Sequence, residues 1–263
     1  MLDLGCARVN GHLSRMPGAN VPTMRVAQVW RFPVKSLQGE QLEAAEVGFD
    51  GIEGDRRYAI FDAATGFGLT ARRAPELLFA SARMRSDGSA EITLPDGSVA
   101  ADDAALSAWL GRPVVLRSTA DDVTRRYENP ADFEHEETSR WEPFDGSHGG
   151  FHDLAGAPIS LVSTATIGSW ETRRFRTNVV LDGADEESLL GRRATVGGAH
   201  LDVGMQILRC VMVTRPQPGG VGRDLDVLRT IHRERGGRLA VGASVARPGP
   251  VAVGDAISAG TGA

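Results

Sequence analysis

The chain has 263 residues and a mass of 28.0 kDa, which is enough to bury a sizeable core in one large domain or two small ones. Charged residues make up 24% of it, both signs are mixed and the net charge is −5, so no overall attraction to nucleic acid or to an anionic membrane is expected. Two cysteines cannot form a disulfide framework, and no apolar run approaches the roughly 20 residues of a membrane span. These features predict a cytoplasmic protein that binds neither nucleic acid nor a membrane.

The first 23 residues are polar, contain glycine and proline, and lack the apolar stretch of a secretory signal. We predict that residues 1–23 form a disordered tail and that the fold begins at Met24. Beyond this point many of the 32 glycines fall at the ends of apolar segments, where turns require a positive φ.

Residues 24–117 are predicted to form a β-rich unit. Short runs of β-branched and aromatic residues, separated by turn residues, predict strands at 26–32, 42–49, 57–61, 78–84, 91–94 and 114–117. A helix is predicted before the last of these strands, at 104–110. Asp102 suits its N-cap, and Gly111 suits the C′ position.

Residues 118–150 break this pattern with polar, acidic and aromatic residues. A long segment without periodicity inside a compact domain is usually a functional loop or a linker. Four aromatic residues favour a lid over a site, and a solvated linker is the alternative; they are Tyr127, Phe133, Trp141 and Phe144.

Residues 151–263 are again predicted to be mainly β, with strands at 158–162, 175–181, 195–205, 239–245 and 251–257. Ser163 or Thr164 suits the N-cap of a helix that reaches about residue 171, and Asp224 caps a second helix that Gly236 ends. Because the strands do not alternate with long helices, closed or partly closed β-barrels fit better than a doubly wound sheet. The sequence contains no Walker loop, dinucleotide-binding glycine fingerprint, nucleophile elbow or HExxH motif.

Lys35 and Cys210 are the two residues most unusual for this composition. Lys35 is the only lysine and follows the first predicted strand, whereas the other cysteine, Cys6, lies in the predicted tail. This rarity favours a chemical role for both side chains. The alternatives are a solvated surface lysine, a Schiff-base lysine and a small buried cysteine, although nothing else resembles a pyridoxal phosphate site.

Five short motifs occur in an order that resembles the MOSC family, which is named for the molybdenum cofactor sulfurase C-terminal domain. They are Pro-Val-Lys-Ser at 33–36, Gly-Asp-Arg-Arg at 54–57, Thr-Ala-Arg at 70–72, Phe-Arg-Thr-Asn-Val-Val at 175–180 and Arg-Cys at 209–210. The closer resemblance is to the branch that contains the mitochondrial amidoxime reducing component and related bacterial proteins. It implies an N-terminal β-barrel domain over 24–117 and a MOSC β-barrel domain over 151–263.

The resemblance implies a molybdenum cofactor, in which a pterin dithiolene holds molybdenum, with Cys210 as a further ligand of the metal. A soft, deprotonated thiolate suits a thiophilic metal. Lys35, Ser36 and Arg72 match positions that bind the pterin phosphate, and an ammonium, a hydroxyl and a guanidinium together make a sound site for a dianion. The other implied cofactor contacts are Thr70, Arg176, Asn178 and Arg209, with a hydroxyl from Ser163 or Thr164 as an alternative to their role as helix caps.

Arg176 and Asn178 are two residues apart, which places them on one face of the predicted strand at 175–181. Thr177 stands between them, where relatives commonly have proline. Residues 214–222 read Thr-Arg-Pro-Gln-Pro-Gly-Gly-Val-Gly in place of the acidic, Asp-Pro-containing stretch of relatives. This segment should shape the substrate side of the site. The resemblance therefore supports the assignment of the cofactor more strongly than the assignment of the substrate.

By resemblance, the chain is expected to be a molybdenum-cofactor oxidoreductase that reduces N-hydroxylated compounds such as amidoximes or hydroxylamines. The chain lacks the cysteines of an appended iron–sulfur domain, so a separate flavin, haem or iron–sulfur protein is expected to supply the electrons. The alternative is a non-catalytic carrier of the cofactor, or of sulfur on Cys210. A third interpretation is a degenerate relative that binds nothing, which the joint presence of Lys35, Arg72 and Cys210 disfavours.

Overall fold

The computed structural model describes residues 24–133, 135–136 and 138–260. The predicted tail at residues 1–23 lies outside the described residues, as do Glu134 and Glu137 of the predicted loop. Short strands dominate the described chain, which confirms the predicted mainly-β class. The strands are β1 (Arg25–Arg31), β2 (Glu40–Leu42), β3 (Ala44–Gly48), β4 (Gly51–Ile52), β5 (Tyr58–Asp62), β6 (Ser81–Met84), β7 (Ala90–Thr93), β8 (Val114–Ser118), β9 (Arg126–Pro130), β10 (Trp141–Asp145), β11 (Ile159–Ser163), β12 (Val179–Asp182), β13 (Arg192–Val196), β14 (Ala199–Leu208), β15 (Arg238–Arg247), β16 (Gly249–Ala252) and β17 (Ile257–Ala259).

The two predicted helices that begin after an aspartate and end at a glycine are confirmed. In α1 (Asp103–Leu110) the Asp102 carboxylate accepts from the backbone N–H of Ala105 at 2.9 Å, and Gly111 ends the helix with φ of 64°. In α3 (Leu225–Arg235) Asp224 and Gly236 have the same two roles. Within the described ranges, no helix is long and apolar enough to cross a bilayer.

Five further helical features are shorter than an α-helix of ordinary length. The predicted helix after Ser163 forms only α2 (Thr164–Ile167), because the chain leaves the helical conformation at Gly168, whose φ is 59°. Tight 3-10 helices replace parts of several predicted strands and loops; they are Pro75–Phe79, Thr172–Phe175, Glu186–Leu189 and Val211–Thr214.

A curled sheet of eight strands, in the order β17-β13-β14-β15-β11-β12-β1-β2, forms the larger part of the fold. A smaller sheet, β16-β3-β4, packs its apolar residues into the same core. This half-barrel confirms the predicted barrel-like architecture. The core is made by buried aliphatic residues, among them Val26, Val29, Val47, Ile159, Leu181, Leu201, Val241 and Val251.

A second core lies under the paired strands β5–β8 and β6–β7 and under α1. Its residues include Val34, Leu37, Ile60, Leu77, Leu78, Leu106 and Val114. Segments that contribute to the two cores alternate along the chain, so no single position divides one core from the other. Val29 of β1 belongs to the first core, whereas Val34, only five residues later, belongs to the second. The turn between them therefore lies where the two cores meet.

The segment 118–150 is not the irregular loop that the sequence predicts, because β9 and β10 pair within it as an antiparallel hairpin. Tyr127 lies opposite Phe144 in this hairpin, and its buried ring also contacts Phe61. The two strands have only five residues each and carry polar residues on their exposed side, so the apolar pattern is too short to show in the sequence.

Candidate functional site

A cavity of about 290 Å³ is lined by residues from both halves of the chain. All five motifs found in the sequence reach it, since Arg56 of the second motif joins residues of the other four. The sequence-predicted site residues that line it are Ser36, Thr70, Arg72, Arg176, Asn178, Arg209 and Cys210.

Arg56 is held at the cavity by a buried acid. The carboxylate of Asp55 is fully buried and pairs with the Arg56 guanidinium, while it accepts hydrogen bonds from the Phe32 N–H at 2.7 Å and from Asn178 Nδ2 at 3.0 Å. Arg56 donates in turn to the Arg176 carbonyl at 3.0 Å. Sequence reasoning included Arg56 in a motif but missed it as a site residue.

Arg176 does not lie on a strand, as the sequence predicted, but one residue after a 3-10 helix in the left-handed conformation, with φ of 49°. β12 begins only at Val179, because a left-handed residue cannot continue a strand. The guanidinium packs 4.5 Å from the centre of the Phe32 ring and donates to the Leu37 carbonyl. Burial lowers the pKa of Arg176, and the neighbouring Arg56 lowers it further.

Arg209 and Cys210 follow the end of β14. Arg209 donates to the carbonyls of Leu239 at 2.8 Å and Phe175 at 2.9 Å, whereas its buried Nη2 has no partner among the described residues. Burial lowers the pKa of Arg209, and the neighbouring Cys210 opposes this shift. The half-buried Cys210 precedes the 3-10 helix at 211–214 and presents its thiol at the cavity, next to this cation.

Ser36 and Arg72 lie on one wall. Ser36 has φ of 70°, and its hydroxyl accepts from the Ala71 N–H at 3.0 Å, which holds the two motifs together. Arg72 pairs with Glu136 at 3.0 Å and packs against the Phe133 ring.

Lys35 is buried behind the cavity and does not line it. Its ammonium donates to the Phe151 carbonyl at 3.1 Å, lies 4.8 Å from the centre of the Tyr127 ring and forms an ion pair with Asp153. Asp153 does line the cavity, so Lys35 contributes to it through this carboxylate.

Sequence reasoning missed two adjacent residues of the cavity, His152 and Asp153. The Asp153 side chain is exposed, and although the protein around its carboxyl partly desolvates it and raises its pKa, the charges of Lys35, Arg56 and Arg176 outweigh this and hold the pKa at about 2. Burial, with a contribution from Arg56, lowers the pKa of His152 to about 4. No periodicity or motif marks this dipeptide, since it belongs to the polar segment before β11.

Ser163 and Thr164, the two alternative cofactor contacts, do not line this cavity. Ser163 caps α2, because its hydroxyl accepts from the Thr166 N–H at 3.1 Å. Thr166 then donates to the buried Glu186 at 2.8 Å. These hydroxyls therefore stabilise the local structure, and the helix-cap role of Ser163 is the one that the sequence predicted as the alternative to cofactor binding.

The charge of the cavity is positive, although Asp55 and Glu136 pair with two of its arginines from outside the lining. Among the described lining residues Asp153 is the only carboxylate, against the guanidinium groups of Arg56, Arg72, Arg174, Arg176 and Arg209. Apolar side chains line another part of the wall, among them Phe144, Leu154, Ile207, Leu208 and Met212. The arrangement fits an anionic ligand that also carries a thiophilic atom within reach of the Cys210 thiol.

Fold and site together define a barrel protein whose cationic cavity contains one thiol. The chain belongs to the MOSC family: residues 23–133 match the MOSC N-terminal beta barrel domain, and residues 150–258 match the MOSC domain. The MOSC domain is named for molybdenum cofactor sulfurase, which associates the protein with molybdenum-cofactor chemistry.

Solved structures of similar proteins include the YuaD protein from Bacillus subtilis. It is 15% identical, the match covers 89% of this chain and 94% of that one, and the TM-score is 0.40. YiiM from Geobacillus stearothermophilus is 14% identical over 52% of this chain and 73% of its own, with a TM-score of 0.34. A comparison with curated proteins finds no match.

Proposed function

We propose that this cavity binds a molybdenum cofactor and that the protein reduces N-hydroxylated compounds, in the manner of the mitochondrial amidoxime reducing component. One observation carries the proposal: Cys210 lines the same cavity as five arginines. A pterin phosphate requires cations and hydrogen-bond donors, and molybdenum favours a thiolate ligand. Both requirements are met within one cavity of this chain.

The residues present fit such a group. The buried Nη2 of Arg209 has no partner among the described residues, and buried donors of this kind are normally paired with a ligand, a water or the protein. Arg176 is half-buried beside a second cation, so an anion in the cavity would favour its charged form. Ser36, Arg72, Arg176 and Arg209 would hold the phosphate-bearing pterin, with Thr70 and Asn178 as further polar contacts. Lys35 would join them from behind Asp153.

Cys210 would hold the metal as a thiolate, and the adjacent guanidinium of Arg209 stabilises the negative charge that this requires. When bound, the cofactor supplies the two electrons with which an N–OH group and two protons become N–H and water. The apolar side chains of the cavity, among them Ile207, Leu208 and Met212, receive the apolar part of the substrate. A separate electron-donor protein of the flavin, haem or iron–sulfur type replaces the electrons.

The test is the molybdenum and pterin content of the wild-type protein and of Cys210→Ser, both purified from a host that makes the cofactor. Cys6→Ser, which changes the other cysteine of the chain, is the matched control. We expect near-stoichiometric molybdenum and pterin in the wild type and the control, and loss of molybdenum from Cys210→Ser. A wild-type protein without pterin would refute the proposal.

Turnover separates an enzyme from a carrier. The loaded wild-type protein is supplied with a chemical electron donor and an amidoxime, and formation of the amidine is measured. We expect turnover by the wild type and by Cys6→Ser and none by Cys210→Ser. A protein that holds the cofactor but turns over no N-hydroxylated compound would instead be a carrier of the cofactor.

A further inference from the structure

We propose that Asp153 determines which anions the cavity accepts: its carboxylate holds the Lys35 ammonium until a dianionic phosphate group displaces it. The identity of the molecule that bears this phosphate rests on the proposed function. The exchange of one anion for another on Lys35 rests only on the residues of the cavity.

Lys35 requires an anion because it is buried. Its side chain is 5% exposed, and a buried ammonium without a partner carries a large desolvation cost. The Phe151 carbonyl and the Tyr127 ring supply a dipole and a π-face, and among the residues that the structure describes only Asp153 supplies a full negative charge. Any ligand that takes the place of Asp153 must therefore bring negative charge of its own.

Asp153 is attached to the protein weakly. Its side chain is 80% exposed, and within the described part of the chain its carboxylate has one hydrogen-bond partner, Lys35. The next residues, Leu154, Ala155 and Gly156, are exposed as well. Gly156 has φ of 76° and open space around it. Displacement of the carboxylate therefore breaks one ion pair and disturbs no packed core.

The charge balance decides which ligand can displace it. A phosphate monoester carries about −1.5 to −2 at pH 7, whereas Asp153 and simple monoanions carry one charge. In a cavity whose other charged lining residues are arginines, the more highly charged anion gains more from each cation. Asp153 acts as an internal competitor that monoanions do not displace and a dianionic phosphate does. The low pKa of its carboxylate keeps it charged at neutral pH.

The experiment is calorimetric titration of the full chain, made in a host without cofactor synthesis, with inorganic phosphate and separately with nitrate. Asp153→Asn removes the competing charge with almost no change in shape, and Asp122→Asn makes the same change at an exposed aspartate outside the cavity. We expect phosphate to bind Asp153→Asn about tenfold more tightly than the wild type, since the ligand no longer breaks a charge-assisted hydrogen bond. Nitrate should bind measurably only to Asp153→Asn, and Asp122→Asn should match the wild type.

A double variant shows whether the phosphate reaches Lys35. Adding Lys35→Met to Asp153→Asn should remove the tenfold gain, whereas Lys35→Met in the wild type should change phosphate binding less, because there the ammonium is already paired. Circular dichroism melts confirm that each variant is folded. Phosphate affinity that is unchanged or weaker in Asp153→Asn would overturn the inference, and so would a gain that survives Lys35→Met.

The two proposals fail in different ways. Protein from a cofactor-making host that contains pterin, combined with unchanged phosphate affinity in Asp153→Asn, overturns the exchange at Lys35 alone. Protein without pterin, combined with the tenfold gain, refutes the cofactor and supports an exchangeable phosphate site.

Discussion

The two sides of the cavity are built differently. We call one the buried wall, which consists of Arg56, Arg176, Asn178 and Arg209, with the buried Asp55 behind them. We call the other the exposed rim, which consists of Phe144, Asp153, Leu154 and Leu208. Side chains of the buried wall are bonded to one another or to backbone carbonyls, whereas Leu208 of the exposed rim is 64% exposed and Asp153 has one ion pair.

This difference separates two tasks. A group that is to be held in one orientation requires donors whose positions do not depend on the ligand, and the buried wall provides them. Binding of small molecules of different shapes requires side chains that can move without destabilising the fold, and the exposed rim provides these. The buried wall therefore suits the cofactor, and the exposed rim suits the exchange of ligands. Substitutions on the two sides should accordingly differ in stability, in pH dependence and in substrate binding.

The largest effect is expected from Asp55→Ala, behind the buried wall. The change leaves the Arg56 guanidinium, the Phe32 N–H and the Asn178 amide without their acceptor, and the loss of one partner of a buried ion pair costs about 3–5 kcal/mol. Urea unfolding measures the free energy of unfolding. The control is Asp202→Ala, whose partner Arg193 is exposed, and its cost should stay below about 1 kcal/mol. Equal costs for the two variants would mean that the wall is not specially stabilised.

The second largest expected effect is a pH dependence of the free energy of unfolding, caused by the buried His152 that lines the cavity. The pKa of His152 is about 4 in the folded protein and 6.5 in the unfolded chain, so the unfolded state binds more protons between these values. The contribution of His152 to stability is complete above pH 6.5 and is lost as the pH falls towards 4, by about 2–3 kcal/mol.

Urea unfolding at pH 7.5 and pH 4.5 measures this loss. In His152→Asn the free energy of unfolding should fall less between the two pH values, by about the same 2–3 kcal/mol. His148→Asn replaces an exposed histidine of the same segment and should keep the wild-type dependence. If His152→Asn also kept it, the buried imidazole would not be held neutral by the wall.

The fold was predictable from the sequence where local signals are strong. Asp102 with Gly111, and Asp224 with Gly236, mark helix ends by backbone chemistry that needs no tertiary contact. The left-handed Arg176 was not predictable, because tertiary contacts to Phe32 and Leu37 stabilise a conformation that its residue type disfavours. The same holds for the hairpin β9–β10, whose short strands depend on the burial of Tyr127.

The motifs of the candidate site were predictable from the sequence, whereas the carboxylate that pairs with Lys35 was not. Seven of the residues named from the family resemblance line one cavity, since the order of the motifs reflects a shared fold. It did not reveal that Asp153 pairs with Lys35, because the two are more than a hundred positions apart and no local pattern links them. Buried charges need partners, but the sequence does not say which acid supplies one.

The smallest change in stability is expected from Phe144→Ser on the exposed rim. The ring is 37% exposed and packs 5.8 Å from the ring of Tyr127, so its loss should cost about 1 kcal/mol or less in urea unfolding. Its effect on the proposed reaction should be larger. Because the ring lines the cavity, KM for an aryl amidoxime should rise about tenfold with kcat nearly unchanged, as expected when only uniform substrate binding is lost. Phe49→Ser removes a more exposed ring outside this cavity and should change neither constant. A fall in kcat for Phe144→Ser would place the ring among the groups that orient the reacting N–O bond, and the division between a fixed wall and an adaptable rim would then not hold.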